Sequence, residues 1–150
     1  MIKISPLTEY NPEIAKQMGA LLTQLSTHWD GSPISREWIE DIVSSPWHDQ
    51  LLAFNEDGKL VGMFTLSVVF GAKIGRNAFL EDCIVDADCR GQGIGSQIWE
   101  EILKWGRQKG CNRLEFTASG DHKKAGAPQF YLSRGASIYD TNFFRVELNN

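Results

Sequence analysis

A chain of 150 residues, 42% hydrophobic and 23% charged, is long enough to bury a core and has the balance of an ordinary globular protein. A formal net charge of −4 with no basic stripe argues against nucleic acid as the main partner. Cys83, Cys89 and Cys111 form no C-x-x-C pair and His28, His48 and His122 are scattered, so neither a disulfide framework nor a zinc site is expected, only reduced thiols.

Residues 2–7 alternate and predict a first strand. Asn11-Pro12-Glu13 marks a helix entrance with Pro12 at the first position, and the helix carries Ile14, Met18, Leu21, Leu22 and Leu25. A loop, residues 28–33, leads to a second helix that starts at Ser35 and ends before Pro46. Residues 50–54 and 60–70 read as a hairpin about the Asp57-Gly58 turn, and 78–86 as a further strand. The run 60–70 is broken by Thr65 and Ser67 and falls short of the roughly 18–20 residues of a membrane span. The first six residues are too polar for a signal peptide, so a cytoplasmic protein is expected. A long helix follows, with Ile98, Ile102 and Trp105 at helical spacing, Trp99 and Leu103 widening the apolar face, a Glu100–Lys104 pair on the wet side and Gly110 as its terminator. Residues 113–118 predict a strand, 119–124 a polar loop, 125–133 a short helix stopped by Gly135, and 137–139 and 143–148 two closing strands. The order β-α-α-β-β-β-α-β-α-β-β is that of one α/β domain over residues 1–150 with a mixed sheet.

The chemistry concentrates between the strand at 78–86 and the long helix, in Arg90-Gly91-Gln92-Gly93-Ile94-Gly95. Closely spaced glycines let the backbone approach a ligand, and the helix that follows presents N–H groups and a positive dipole end, a combination suited to phosphate. The Lys-Ser/Thr ending of a nucleotide-triphosphate loop is missing. A dinucleotide fingerprint would need glycine where Ser96 stands, although Glu115 could imitate its ribose-binding acid.

The spacing Arg/Gln-x-x-Gly-x-Gly/Ala, met from Arg90 through Gly93 to Gly95, resembles the GNAT superfamily of acetyl-CoA-dependent N-acetyltransferases. Gln129-Phe130-Tyr131-Leu132-Ser133-Arg134-Gly135 downstream and Glu81-Asp82-x-x-Val85 upstream are also similar to that family. The resemblance implies a mostly antiparallel central sheet flanked by helices, with the glycine-loop strand and the next strand splayed around pantetheine. It implies that backbone N–H groups of Gln92, Gly93, Ile94, Gly95 and Ser96 hold the CoA pyrophosphate, with Gly91 in the same loop and the Arg90 charge at its rim, and that backbone groups of Ile84 and Val85 bind pantetheine, with an N–H near Val85 polarising the thioester. Arg90 is otherwise a solvated charge. Tyr131 matches the family's general acid, against the plain alternative of a half-buried aromatic. Lys124 stands where many members have a CoA-contacting asparagine.

Glu81, placed by strand alternation on the face of Phe79, Cys83 and Val85, is where members often carry the base; Asp82 reads as structural. His28 and Trp29 are acceptor-site candidates, since aromatic faces can hold a cationic amine. Trp38 reads as packing. The implied partners are acetyl-CoA and a primary amine, with no membrane and a homodimer as an option. A CoA-binding sensor without turnover is the alternative, and a nucleotide-binding module a third.

Overall fold

The computed structural model describes residues 1–118 and 126–149, as two compact units, Met1–Phe116 and Thr117–Asn150. The first unit is built on one five-stranded sheet. Its strands are β1 (Lys3–Pro6), β2 (His48–Phe54), β3 (Leu60–Gly71), β4 (Gly75–Val85) and β5 (Leu114–Phe116), and they lie side by side in chain order. Every neighbouring pair is antiparallel except β4 and β5, which are parallel and joined by helix α3 (Ile94–Gln108). A parallel pair needs such a crossover, because a tight turn cannot return the chain in the same direction.

Helices α1 (Pro12–Leu22) and α2 (Arg36–Ser44) start where side-chain caps allow them. Asn11 accepts from the Glu13 and Ile14 amides, and Ser35 from the Trp38 amide. Ala15, Met18 and Leu21 of α1 and Ile39 of α2 join Leu52, Met63 and Ile84 of the sheet in one buried cluster. Gln17 binds α1 to the sheet by accepting from the Leu60 amide at 2.9 Å.

On the opposite face lies α3, with Ile94, Ile98, Trp99, Ile102 and Trp105 buried. The Trp105 indole donates to Asp49 of β2 at 2.7 Å, and the Trp99 ring meets Phe116 of β5 edge-on at 5.9 Å. The helix ends as its sequence predicts. Gly110 has φ +70°, its amide donates to the Arg107 carbonyl, and the Cys111 amide reaches back to Gly106, the paired bonds of a Schellman turn. The predicted Glu100–Lys104 pair is replaced by Lys104–Glu101, one turn position closer.

The hairpin between β2 and β3 turns on Asn55 as much as on Asp57-Gly58. The Asn55 carboxamide accepts from the amides of Asp57 and Lys59 and so templates the turn that Gly58 completes at φ +77°.

In the second unit, α4 (Ala127–Leu132) carries Pro128 in its first turn and ends before Gly135, which has φ +90°. The two predicted closing strands, 137–139 and 143–148, do not form: residues 136–149 have no regular secondary structure and no place in the sheet. Alternating apolar residues encode a strand only when a neighbouring edge supplies the ladder, and this chain does not pair one with them. The polar loop predicted at 119–124, with Lys124 in it, lies outside the described residues.

One close approach holds the α1–α2 loop. A Cβ built on Gly19 of α1 would stand 1.9 Å from the Ser32 carbonyl oxygen, and beside it the Ile34 amide donates to the Ala15 carbonyl at 3.0 Å. Backbone on both sides leaves nothing flexible to yield. Gly19→Ala is therefore expected to destabilise the protein by about 1–3 kcal/mol through overpacking, despite the better helix propensity of alanine. Urea unfolding of the two proteins checks this, and equal midpoints would show that α1 and the loop are not packed this tightly.

Candidate active site

The site begins where β4 outruns β5. The parallel ladder pairs only Ala78, Phe79 and Leu80 with Leu114, Glu115 and Phe116, whereas β4 continues to Val85. From Glu81 onward, β4 is bonded along one edge to β3 and has no strand on the other among the described residues. Such a strand end, with a row of backbone donors and acceptors along one side, suits an extended amide-bearing chain. Ile84 and Val85 lie on this stretch, Ile84 buried and Val85 half-buried.

A bulge sits in the same stretch. Thr65 faces Glu81 and Met63 faces Ile84, so Asp82 and Cys83 together oppose Phe64. Asp82 takes up the extra residue at φ +43°, a conformation that aspartate tolerates better than most side chains. The bulge overturns the alternation read from sequence. Glu81 still shares a face with Phe79, but past the bulge its face continues with Ile84 and not with Cys83 and Val85. That is the face covered by α1 and α2, and Glu81 is exposed on it. Burial pushes the Asp82 carboxyl above the ordinary carboxylate range.

After Val85 the chain makes a single 3₁₀ turn, Ala87–Cys89, and enters the glycine loop. Gly91 and Gly93 have φ +76° and +80°, and among the described residues a Cβ on either would meet no atom within 4 Å beyond its chain neighbours. Their need for glycine is thus conformational, and the space around both is open. Gly93 is also the N-cap of α3 and offers no side chain to its amides. Helices α1 and α2 have a capping side chain and a first-turn acid, Glu13 or Glu37; α3 has neither. The positive end of its dipole thus meets neither a side chain at the N-cap nor an acid in the first turn. Ile94, Gly95 and Ser96 form this first turn, and Gln92 precedes it.

Arg90 is exposed and folds back, its Nε donating to the Val85 carbonyl at 3.2 Å, so it holds the end of β4 against the loop. The loop is also anchored from behind by Asp86, which is 5% exposed. One carboxylate oxygen accepts from Lys59 Nζ at 2.9 Å, and the other from Gln24 Nε2 and the Asp88 amide, both at 3.2 Å. Gln24 in turn accepts from the Ala87 amide at 2.8 Å. Four segments meet there: the end of α1, the start of β3, the end of β4 and the 3₁₀ turn. This cluster was not singled out from sequence, although Asp86-Ala87-Asp88 carries the Asx-turn signal that could have marked it.

His28 and Trp29 lie exposed in the loop between α1 and α2. Trp38 is exposed at 38% on α2 and is not core. Glu115 accepts from Asn77 and pairs with Arg113, which occupies the carboxylate that a dinucleotide loop would need for ribose. Tyr131 lies on α4 in the second unit, with the Phe130 ring edge-on to it at 5.2 Å. Among the described residues no group of histidine, cysteine or carboxylate side chains could hold a metal ion, and no helix is long and apolar enough to cross a membrane.

A forked sheet edge, a bulge and an uncapped helix entered through glycines describe an acyl-CoA-binding acetyltransferase fold. The Acetyltransferase (GNAT) family matches residues 17–136, and the chain belongs to that family, whose acyl donor is acetyl-CoA. Thialysine N-epsilon-acetyltransferase of Sus scrofa is 35% identical over 66 residues, covering 44% of this chain and 39% of that protein. Its Mus musculus counterpart is 29% identical over 87 residues, 58% and 48% of the two chains. The matches therefore span less than half the length of these curated relatives. Among solved structures, an aminoglycoside acetyltransferase from an uncultured soil metagenomic sample superposes with a TM-score of 0.82 at 21% identity, over 99% of this chain and 97% of that one. Glucosamine-6-phosphate N-acetyltransferase from Arabidopsis thaliana gives 0.76 at 21%, over 97% and 98%. At such identities these two share the fold.

Lys59 holds the Asp86 carboxyl below the usual aspartate range, aided by Gln24 and the Asp88 amide and opposed by burial. A depressed pKa in the folded state contributes stability that is present above the unfolded value, near 4, and is lost as pH falls through the folded value. Asp86→Asn is expected to cost about 1–2 kcal/mol at pH 7, since Lys59 is largely solvated, and to flatten the loss of stability below pH 4. Urea unfolding across pH 2.5–7 reads both; parallel wild-type and variant curves would remove Asp86 as the anchor.

Proposed function

We propose that this chain is a single acetyltransferase domain that transfers an acetyl group from acetyl-CoA to a primary amine within a ternary complex. The observation that carries the reading is the entrance to α3: glycines at positive φ in open space, no capping side chain and no acid in the first turn, directly after a strand end with an open edge. Pyrophosphate on the amides of Gln92 to Ser96 and pantetheine along Ile84 and Val85 would complete both. Arg90, Gly91, Gly93, Ile94 and Gly95 border that site, and Lys124 belongs to the same proposal.

In the reaction the amine nitrogen attacks the thioester carbonyl carbon. An N–H of the Val85 region stabilises the oxyanion, and the C–S bond breaks. Glu81 takes the amine proton, directly or through a water, and Tyr131 supplies a proton to the departing thiolate. The exposure of Glu81 beside the bulge supports its part. The acceptor is read as an aliphatic primary amine of a small molecule or peptide. Support comes from relatives named for acetylating the ε-amine of thialysine, and His28 and Trp29 in the α1–α2 loop are its proposed contacts. Three free cysteines support a reducing, cytoplasmic setting, and a homodimer is the proposed assembly.

A thiol-release assay with acetyl-CoA and a panel of amines tests the activity, and Gly93→Val tests the binding loop. Gly58 makes a matched control, since it has nearly the same φ, equally open surroundings and a place in a distant hairpin. Both valines carry a similar backbone strain of about 1–2 kcal/mol. Only Gly93→Val is expected to weaken acetyl-CoA binding, by tenfold or more in calorimetry. Equal affinities in the two variants would remove pyrophosphate from the loop.

Glu81→Gln keeps the side-chain shape and removes its basicity. The amine must then arrive neutral, so the rate is expected to be low near pH 7 and to climb toward the amine's own pKa, around 10 for a lysine-like acceptor. The wild type should level off at lower pH. Coincident pH–rate profiles would take the base role from Glu81 and turn attention to Asp82 on the bulge or to a water chain.

A further inference from the structure

The sheet face beneath α1 and α2 changes character at the bulge. One row across β2, β3 and β4 is apolar: Leu52, Met63 and Ile84, all in the buried cluster. The next row is polar: Gln50, Thr65 and Glu81. Gln50 and Thr65 are 3% and 7% exposed, so their hydrogen bonds have to be met inside the protein. Gln50 Nε2 donates to the Leu51 carbonyl at 3.3 Å and to the Phe64 carbonyl at 3.2 Å, and Oε1 accepts from the Thr65 hydroxyl at 2.8 Å. Reversing the carboxamide would set its oxygen against two carbonyls, so its orientation is fixed. One side chain of β2 thus grips two consecutive residues of β3, and none of the acetyl-transfer steps uses it.

Those two residues are the ones that face the bulge. Thr65 pairs with Glu81, and Phe64 lies opposite Asp82 and Cys83. On one side of the bulge Leu80 pairs with Leu66, and on the other Ile84 pairs with Met63; all four are at most 5% exposed. Core packing therefore pins β4 at both ends. Between the pins β4 has three residues, Glu81, Asp82 and Cys83, and β3 has two, Thr65 and Phe64. Packing leaves open which of the three is the surplus one, since Glu81 and Asp82 are exposed and Cys83 is half-buried. Were the surplus to fall on Glu81, its carboxylate would leave the Thr65 row.

We infer that Gln50 and Thr65 are positioning residues for acetyl transfer: the carboxamide clamp on Phe64 and Thr65 holds the surplus residue past Glu81 and so aims the Glu81 carboxylate. The inference rests on the reading of Glu81 as the base. Gln50 acts through β3, and Thr65 through its cross-strand pairing with Glu81, so neither needs to touch a reactant. The single Thr65 proton is given to Gln50, which keeps that hydroxyl from donating to Glu81 and competing with the amine.

Thr65→Val keeps the side-chain shape and removes the hydroxyl that Gln50 holds, whereas Thr65→Ser keeps the hydroxyl. Thr65→Val is expected to lower kcat about tenfold or more, with acetyl-CoA affinity within about threefold of wild type. Thr65→Ser is expected to stay within about threefold of wild type in both. In a Glu81→Gln background, Thr65→Val is expected to cost less than about twofold, because no base is left to aim. Equal losses in the two backgrounds would make Thr65 a packing residue and overturn the inference, and so would a fully active Thr65→Val. Cross-strand proton contacts in NMR spectra read the register without any acceptor. In Gln50→Leu the Ser67–Phe79 contact is expected to persist and the Thr65–Glu81 contact to fade. A Thr65–Glu81 contact as strong as in the wild type overturns the clamp. Thr65→Val carries the same measurement should Gln50→Leu not fold. If the wild type acetylates no amine, the acetyl-transfer reading fails, while the register still decides the clamp.

Discussion

The glycine loop can be open because Asp86 is closed. A loop that must leave its amides and its surroundings vacant for a ligand cannot be stabilised by its own packing, so its position has to be set from one end. The Asp86 carboxylate does this, with every acceptor position turned to a different segment: Lys59 at the start of β3, Gln24 beyond α1 and the Asp88 amide in the 3₁₀ turn. A buried carboxylate is tolerable only when it is so surrounded. On the far side of the loop, α3 is fixed by the Trp105–Asp49 bond and by its row of buried isoleucines. Between these two anchors, Gly91 and Gly93 have room around them among the described residues.

Much of this was legible in the sequence, for identifiable reasons. Helix α3 was, because its apolar period, its glycine entry and its Gly110 exit all agree. The β2–β3 hairpin was, because Asp57-Gly58 admits few other backbones. What failed were features settled by partners. The 137–139 and 143–148 strands have strand chemistry, but strand pairing is decided by an edge elsewhere. The face of Glu81 was misread because a period-two rule assumes an unbroken ladder, and nothing in Glu81-Asp82-Cys83 announces a bulge. The Asp86 cluster joins residues 24, 59 and 86, a distance along the chain that no local pattern spans.

The bulge changes what the strand can offer chemically. A regular β4 would send Glu81 and Val85 to one face and hold alternate amides in the β3 ladder. With Asp82 at positive φ, two residues face one, and the strand presents its carboxylates and its amides at angles that a flat ladder does not allow. Strain at a non-glycine residue persists where surrounding structure over-determines it, and here the β3 ladder on both sides of the bulge does so. Glu81 and Asp82 are both exposed, and partial desolvation at the bulge raises the Asp82 carboxyl above its ordinary value.

The uncapped start of α3 has a consequence for the life of the protein as well as for its chemistry. Helices α1 and α2 start on capping side chains of their own, Asn11 and Ser35. Helix α3 starts on Gly93, which has no side chain to offer, and on the proposed reading its first amides meet a ligand that comes and goes. Any anion that settles there enters the folding equilibrium by mass action, adding about 2.7 kcal/mol at a hundredfold excess over its dissociation constant. On the proposed reading, the supply of that ligand would bear on how much of the chain is unfolded, and so on how fast proteases remove it. A protein built this way would become scarcer when its ligand does.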